Sequence, residues 1–111
     1  MKTGEYYLVN AFTGENALGN QTCVLMMDDI SDTVKLQSLA KDFNLPATTF
    51  LKKTKAGYDV RWFSADMEIG LCGHGTVAAT WVLTQVVKES KKVEFKYNDG
   101  TLSGELAGEM V

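Results

Sequence analysis

The chain has 111 residues, the length of one domain with one core that removes about two-thirds of its unfolded surface from water; with 45% hydrophobic and 23% charged residues and a single proline, no disordered tail or low-complexity stretch is expected. Lys and Arg total 11 against 14 Asp and Glu, a net charge of -3, and the lysines, among them Lys52, Lys53, Lys55, Lys91 and Lys92, are scattered rather than aligned on one stripe, which excludes the concentrated basic footprint that nucleic acid requires. No apolar run approaches the roughly 20 residues of a membrane span, and "MKTGEYYLV" lacks an apolar segment ending in a small-residue cleavage site, so a cytoplasmic location is the expectation.

In chain order, "EYYLVNAF" (5–12) and "TCVLMM" (22–27) read as strands around the Gly- and Asn-rich turn "TGENALGNQ". A helix follows, with Ser31 as its cap, Leu36, Leu39, Ala40 and Phe43 at three-and-four spacing, and Asn44 and Pro46 closing it. It is amphipathic and belongs on the outside. "ATTFLKK" (47–53) and "YDVRWF" (58–63) form a hairpin through Gly57. From Gly73 the segment "GHGTVAATWVLTQVVKES" is apolar nearly all round, which predicts a helix buried nearly all round. "KKVEFKYNDGTLSGELAG" closes the chain as two alternating strands around Asn98-Asp99-Gly100. The pattern predicts an α+β fold over residues 1–111: a mostly antiparallel sheet rolled around a central buried helix, with one outer helix.

The two cysteines, Cys23 and Cys72, show no repeated spacing and are expected as free thiols. With one histidine they make three Cys or His residues in all, too few for a structural zinc site. The chemistry concentrates in "LCGHG" (71–75). The first amides of a helix have no intrahelical partner, and the helix dipole adds about half a positive charge there. A backbone of glycines, Gly73 and Gly75, lets an anion such as a carboxylate come close. Cys72 in the same field is a candidate base or nucleophile, and His74 a candidate proton carrier. The same residues also fit a plain strand-to-helix turn, with Cys72 as a small apolar filler.

Three blocks in order, "VNAFTGENALGNQTCVL", "FNLPATTFL" and "VRWFSADMEIGLCGHGTVAATWVL", resemble the N-terminal half of the PhzF-like (phenazine biosynthesis) family of the diaminopimelate-epimerase-like superfamily. The resemblance implies one lobe of a two-lobed, cofactor-independent isomerase that moves a proton on a small carboxylate-bearing metabolite in a cleft between the lobes. It implies that Gly73, His74 and Gly75 line the cleft and that Asn20 belongs to an early Gly-Asn signature, with no metal; Cys72 and His74 are the candidate catalytic residues, Cys72 in the position of the racemases' cysteine, and Gly73, Gly75, Asn20 and Thr48 the candidate substrate contacts. The chain departs from the pattern twice. Where the family usually reads Ser-Glu-Thr it has Pro46, Ala47 and Thr48, so the acid/base carboxylate is absent at Ala47. It also stops at Val111, roughly where the first lobe would end, so a second lobe or a homodimer is expected to complete the cleft. The alternative to an isomerase is an inactive lobe that binds small carboxylates or a partner.

Overall fold

The computed structural model describes residues 2–10, 21–70, 72–86, 92–98 and 100–105. Its elements are β1 (Tyr6–Asn10), β2 (Gln21–Met26), α1 (Thr33–Phe43), β3 (Ala47–Lys53), β4 (Tyr58–Phe63), β5 (Glu68–Ile69), α2 (Gly73–Trp81), β6 (Lys92–Tyr97) and β7 (Gly100–Glu105). They build one mixed sheet in the order β1-β2-β3-β4-β6-β7, with β5 paired to β4. The β2–β3 and β4–β6 junctions are parallel and the others antiparallel. A parallel junction needs a crossover. The first is α1 and the second contains α2, and the two helices land on opposite faces of the sheet.

Side-chain alternation sorts the strands between those faces. The inner core joins Val24, Leu51, Val60, Trp62, Val93 and Phe95 to Ala78, Ala79, Val82 and Leu83 of the α2 segment. The outer core joins Cys23, Leu25, Phe50 and Phe63 to Ile30, Leu36 and Ala40. Both faces of β3 are covered, and Ala47 to Leu51 are all buried. Because α2 packs on β2 and β3 and also on β7, the sheet curls around it, as the sequence pattern requires.

Local chemistry explains the element ends. Asp32, not Ser31, caps α1: its Oδ1 accepts from the Lys35 N–H at 3.1 Å, while the Ser31 hydroxyl donates to Asp29 at 3.0 Å. Asn44 ends the helix in the left-handed region (φ 53°) and donates its N–H to Ala40 O, a common C-terminal geometry. Gly57, with φ 153°, sits where a Cβ would run into the backbone carbonyl of Glu94, beside the parallel contact of Tyr58 with Phe95.

In α2, three threonines one turn apart hide their hydroxyls against the helix itself: Thr76 donates to Cys72 O, Thr80 to Thr76 O and Thr84 to Thr80 O, at 2.7 to 2.8 Å. Such back-bonding favours local bending, and the helix widens into a π turn over Val82–Val86. The helix is less enclosed than its composition predicts. Val77 and Val86 remain 47% and 37% exposed, because the sheet covers only the side bearing Ala78, Ala79, Val82 and Leu83. Among the described residues no helix is long and apolar enough to cross a membrane.

Candidate functional site

The chain enters α2 through β5, and Cys72 is the N-cap. Its backbone is extended (φ -126°, ψ 106°) and its Sγ accepts from the Gly75 N–H at 3.3 Å. The Cys72 carbonyl accepts from both the Thr76 N–H, at 3.0 Å, and the Thr76 hydroxyl. Sulfur thus occupies the place that Ser, Thr or Asp usually fills at a helix start. Gly73 and His74 hold the first two helical positions, whose amides have no intrahelical acceptor and lie at the positive end of the dipole.

Gly75 is buried against the sheet. A Cβ there would lie 2.5 Å from Thr49 Oγ1, 2.7 Å from Trp62 Cδ1 and 3.0 Å from Trp62 Nε1. Its missing side chain is therefore needed for the first turn of α2 to rest on β3 and β4. The register places Thr49 opposite Trp62, and both polar atoms, Thr49 Oγ1 and Trp62 Nε1, are buried without a hydrogen-bond partner. Thr22 Oγ1 is likewise buried and unpaired. It shares the inner face, two residues before Val24, and pairs in register with Ala47. Unpaired buried polar atoms are rare and costly, and here three of them lie on the face that α2 covers.

The structure brings Cys72, Gly73, His74 and Gly75 into one helical turn. The side chain of His74 and the whole of Asn20 lie outside the described residues. Thr48 falls on the other face: it pairs in register with Cys23 and Phe63, shares the side of the strand that carries Phe50, and so points toward α1. Thr49 and Trp62 are the polar residues beneath the mouth that sequence reasoning did not single out. Ala47 does lie on the inner face, 5% exposed, two residues before Thr49, so the departure from the family triplet falls on the α2 side of the sheet.

The two thiols differ sharply. Cys23 is fully buried in the outer core, and burial pushes its pKa up to about 12, which keeps it neutral. Cys72 is free and half-buried at the mouth. A cleft of about 340 Å³ lies elsewhere, lined by Asp29, Ser31, Lys52, Asp59, Arg61 and Lys96 among others. None of the candidate residues borders it, and it reads as a solvated charged surface.

Comparison with known proteins bears on the family and the fold. The family model described as phenazine biosynthesis-like protein matches residues 9–109. An uncharacterized isomerase of Halalkalibacterium halodurans is 32% identical over 100% of this chain and 43% of its own length. A phenazine biosynthesis-like domain-containing protein of Homo sapiens is 31% identical over 90% of this chain and 36% of its own. The crystal structure of a PhzF-family protein from Enterococcus faecalis superposes with a TM-score of 0.82 at 32% identity, covering 94% of this chain and 40% of that one. The chain thus spans about two-fifths of the length of these relatives.

Proposed function

Because the chain belongs to the phenazine biosynthesis-like family, we propose that it is one lobe of a cofactor-independent isomerase that moves a proton on a small carboxylate-bearing metabolite. The first amides of α2 hold the substrate carboxylate, through the unpaired donors and the positive dipole end that favour an anion. Cys72 exchanges the proton with the adjacent carbon, with His74 as the second proton carrier. A sulfur placed beside a carboxylate-binding helix end suits this task, since the charge that develops on the substrate is stabilised by the same donors that orient it. Asn20 and Thr48 remain proposed substrate contacts. The second half of the cleft comes from further chain or from a second copy of this lobe, since an isologous pair places two like surfaces face to face.

The observation that carries this reading is the N-cap itself: a half-buried cysteine whose sulfur is held on Gly75 N–H at the start of a helix. The test is proton exchange in heavy water with a panel of amino and hydroxy acids. The expected result is deuterium at the carbon next to the carboxylate, lost in Cys72→Ser. Unchanged exchange in Cys72→Ser would overturn the assignment.

A second reading is favoured by Ala47, a methyl group on the inner face where the family carries its acid/base carboxylate. The lobe then binds small carboxylates without chemistry. Shifts of the Gly73 to Thr76 amide resonances on adding a carboxylate, with no deuterium incorporated by an assembly shown complete by light scattering, would decide for it.

A further inference from the structure

The mouth of α2 is approached by a very short strand, and a single side chain on the opposite face of the sheet holds that strand. β5 has two residues and, among the described residues, pairs with β4 alone. Only Ile69, Gly70 and Leu71 separate Glu68 from Cys72. The preceding bend is tied down locally: the Ser64 N–H donates to Met67 O, and Ser64 Oγ accepts from the Asp66 and Met67 N–H groups. From α1, Gln37 Nε2 donates to the Ser64 and Ala65 carbonyls.

Glu68 itself is gripped by Arg61 of β4. Nε donates to Oε2 at 2.9 Å and Nη2 to Oε1 at 2.7 Å, a two-pronged pair. Nη1 donates to the Ile30 carbonyl and Nη2 to the Thr33 hydroxyl, both at 2.8 Å. The guanidinium also lies 5.2 Å from the centre of the Phe63 ring. The arginine side chain is 15% exposed, and Glu68 holds its pKa above the ordinary arginine value, against a desolvation effect of opposite sign. One planar group thereby links β4, β5, the loop before α1 and the first turn of α1. A lysine could supply the charge but not the fork.

We propose that Arg61 is a positioning residue for the Cys72 mouth, acting through Glu68. The pair fixes the height of β5 against β4. β5 delivers Cys72 in the extended conformation that places Sγ on Gly75 N–H, with Ile69 on the inner face packed against the core. Released from Arg61, Glu68 turns to solvent and the two-residue strand is left with its backbone pairing and the packing of Ile69. The N-cap bond and the first turn of α2 then open more often, while the sheet stays closed. The bearing of this on catalysis rests on the mouth being the ligand site. The geometric claim needs no ligand, so either can fail without the other.

The test is amide hydrogen exchange by NMR on Arg61→Lys and Glu68→Gln, read at Gly75 and Thr76 against Leu51 and Phe95 in the sheet. A positioning role predicts exchange about tenfold faster at Gly75 and Thr76 in both variants, with the sheet amides changed far less, as expected for a local opening. It also predicts movement of the Trp62 indole N–H resonance, since that ring lies under Gly75. Equal acceleration at all four amides, or loss of the folded spectrum in both variants, would assign the pair a global structural role and overturn the proposal. So would exchange at Gly75 that matches the parent chain in Glu68→Gln, the milder substitution.

Discussion

Gly75→Ala is the substitution whose outcome the geometry fixes most firmly. In an unobstructed helix, replacing Gly by Ala adds about 1 kcal/mol of stability through backbone entropy. Here the new methyl would lie 2.5 Å from Thr49 Oγ1 and 2.7 Å from Trp62 Cδ1. Neither neighbour is a flexible side-chain end: Thr49 is 0% and Trp62 1% exposed, and both are fixed on paired strands. Forcing a methylene into such a core costs about 1–3 kcal/mol, and two obstructing groups argue for the upper half of that range. The net expectation is a loss of about 1–2 kcal/mol, seen in urea denaturation as a lower midpoint with unchanged slope and in heating as a fall of about 5 °C or more. Because the methyl lifts the first turn, the Gly75 amide should also lose its bond to Cys72 Sγ and exchange faster. Thr49→Ala removes the nearest obstructing atom, so the double variant should recover about 1 kcal/mol relative to additivity. A Gly75→Ala protein as stable as its parent, or strict additivity with Thr49→Ala, would refute the close packing of α2 on β3.

The unpaired hydroxyl of Thr49 predicts that Thr49→Val raises stability by about 1 kcal/mol, since an isosteric methyl needs no partner; a loss in the same denaturation assay would mean that the hydroxyl is bonded to an ordered water. Under native conditions iodoacetamide should label one thiol per chain, Cys72, while Cys23 reacts only after unfolding, as peptide mass mapping would show; early labelling of Cys23 would contradict its burial. The same buried thiol sets a pH dependence. Its folded pKa of about 12 lies above the ordinary cysteine value of 9.0, so its contribution is fully present below pH 9. It declines by about 1.4 kcal/mol per pH unit as the unfolded thiol ionises and the folded one does not, until the folded thiol also ionises near pH 12. Cys23→Ala should flatten that alkaline slope, and a stability curve of unchanged steepness would refute the assignment.

The sequence pattern carried the element order, the outer helix and the helix opening at Gly73, because each is written in local periodicity and caps. The parallel junctions were not legible. Whether 22–27 and 47–53 run together or opposed depends on where the intervening helix lands, which no single segment encodes. The two-residue β5 was lost inside "SADMEIGL" for want of any repeat to read. At the candidate site, Cys72 at the helix start was legible from its glycine neighbours. Thr49 was not, because its importance lies in parity: one residue decides whether a β3 side chain faces α2 or α1, and "ATTFL" offers two threonines in succession. The resemblance singled out Thr48, and the register puts Thr49 under the helix. Trp62 is core, yet its indole N–H lies unpaired beside Gly75 only because β4 sets it opposite Thr49.

That same parity determines what the Ala47 departure means. Residue 47 shares the inner face with Thr49 and pairs in register with Thr22, so a carboxylate there would have faced the α2 side, flanked by two hydroxyls that now lack partners. Threonine hydroxyls donate hydrogen bonds but do not release protons near neutral pH, so the inner face of this lobe has neither a carboxylate at position 47 nor a substitute for one in Thr22 and Thr49. Proton transfer in the proposed reaction then falls on residues of the mouth itself, Cys72 at the cap and His74 one turn position beyond Gly73. A lobe that lacks both a carboxylate at 47 and a reactive Cys72 could only bind. The proposed chemistry therefore depends, beside His74, on one half-buried sulfur, held on the Gly75 N–H and, in the positioning role proposed for it, on Arg61 behind it.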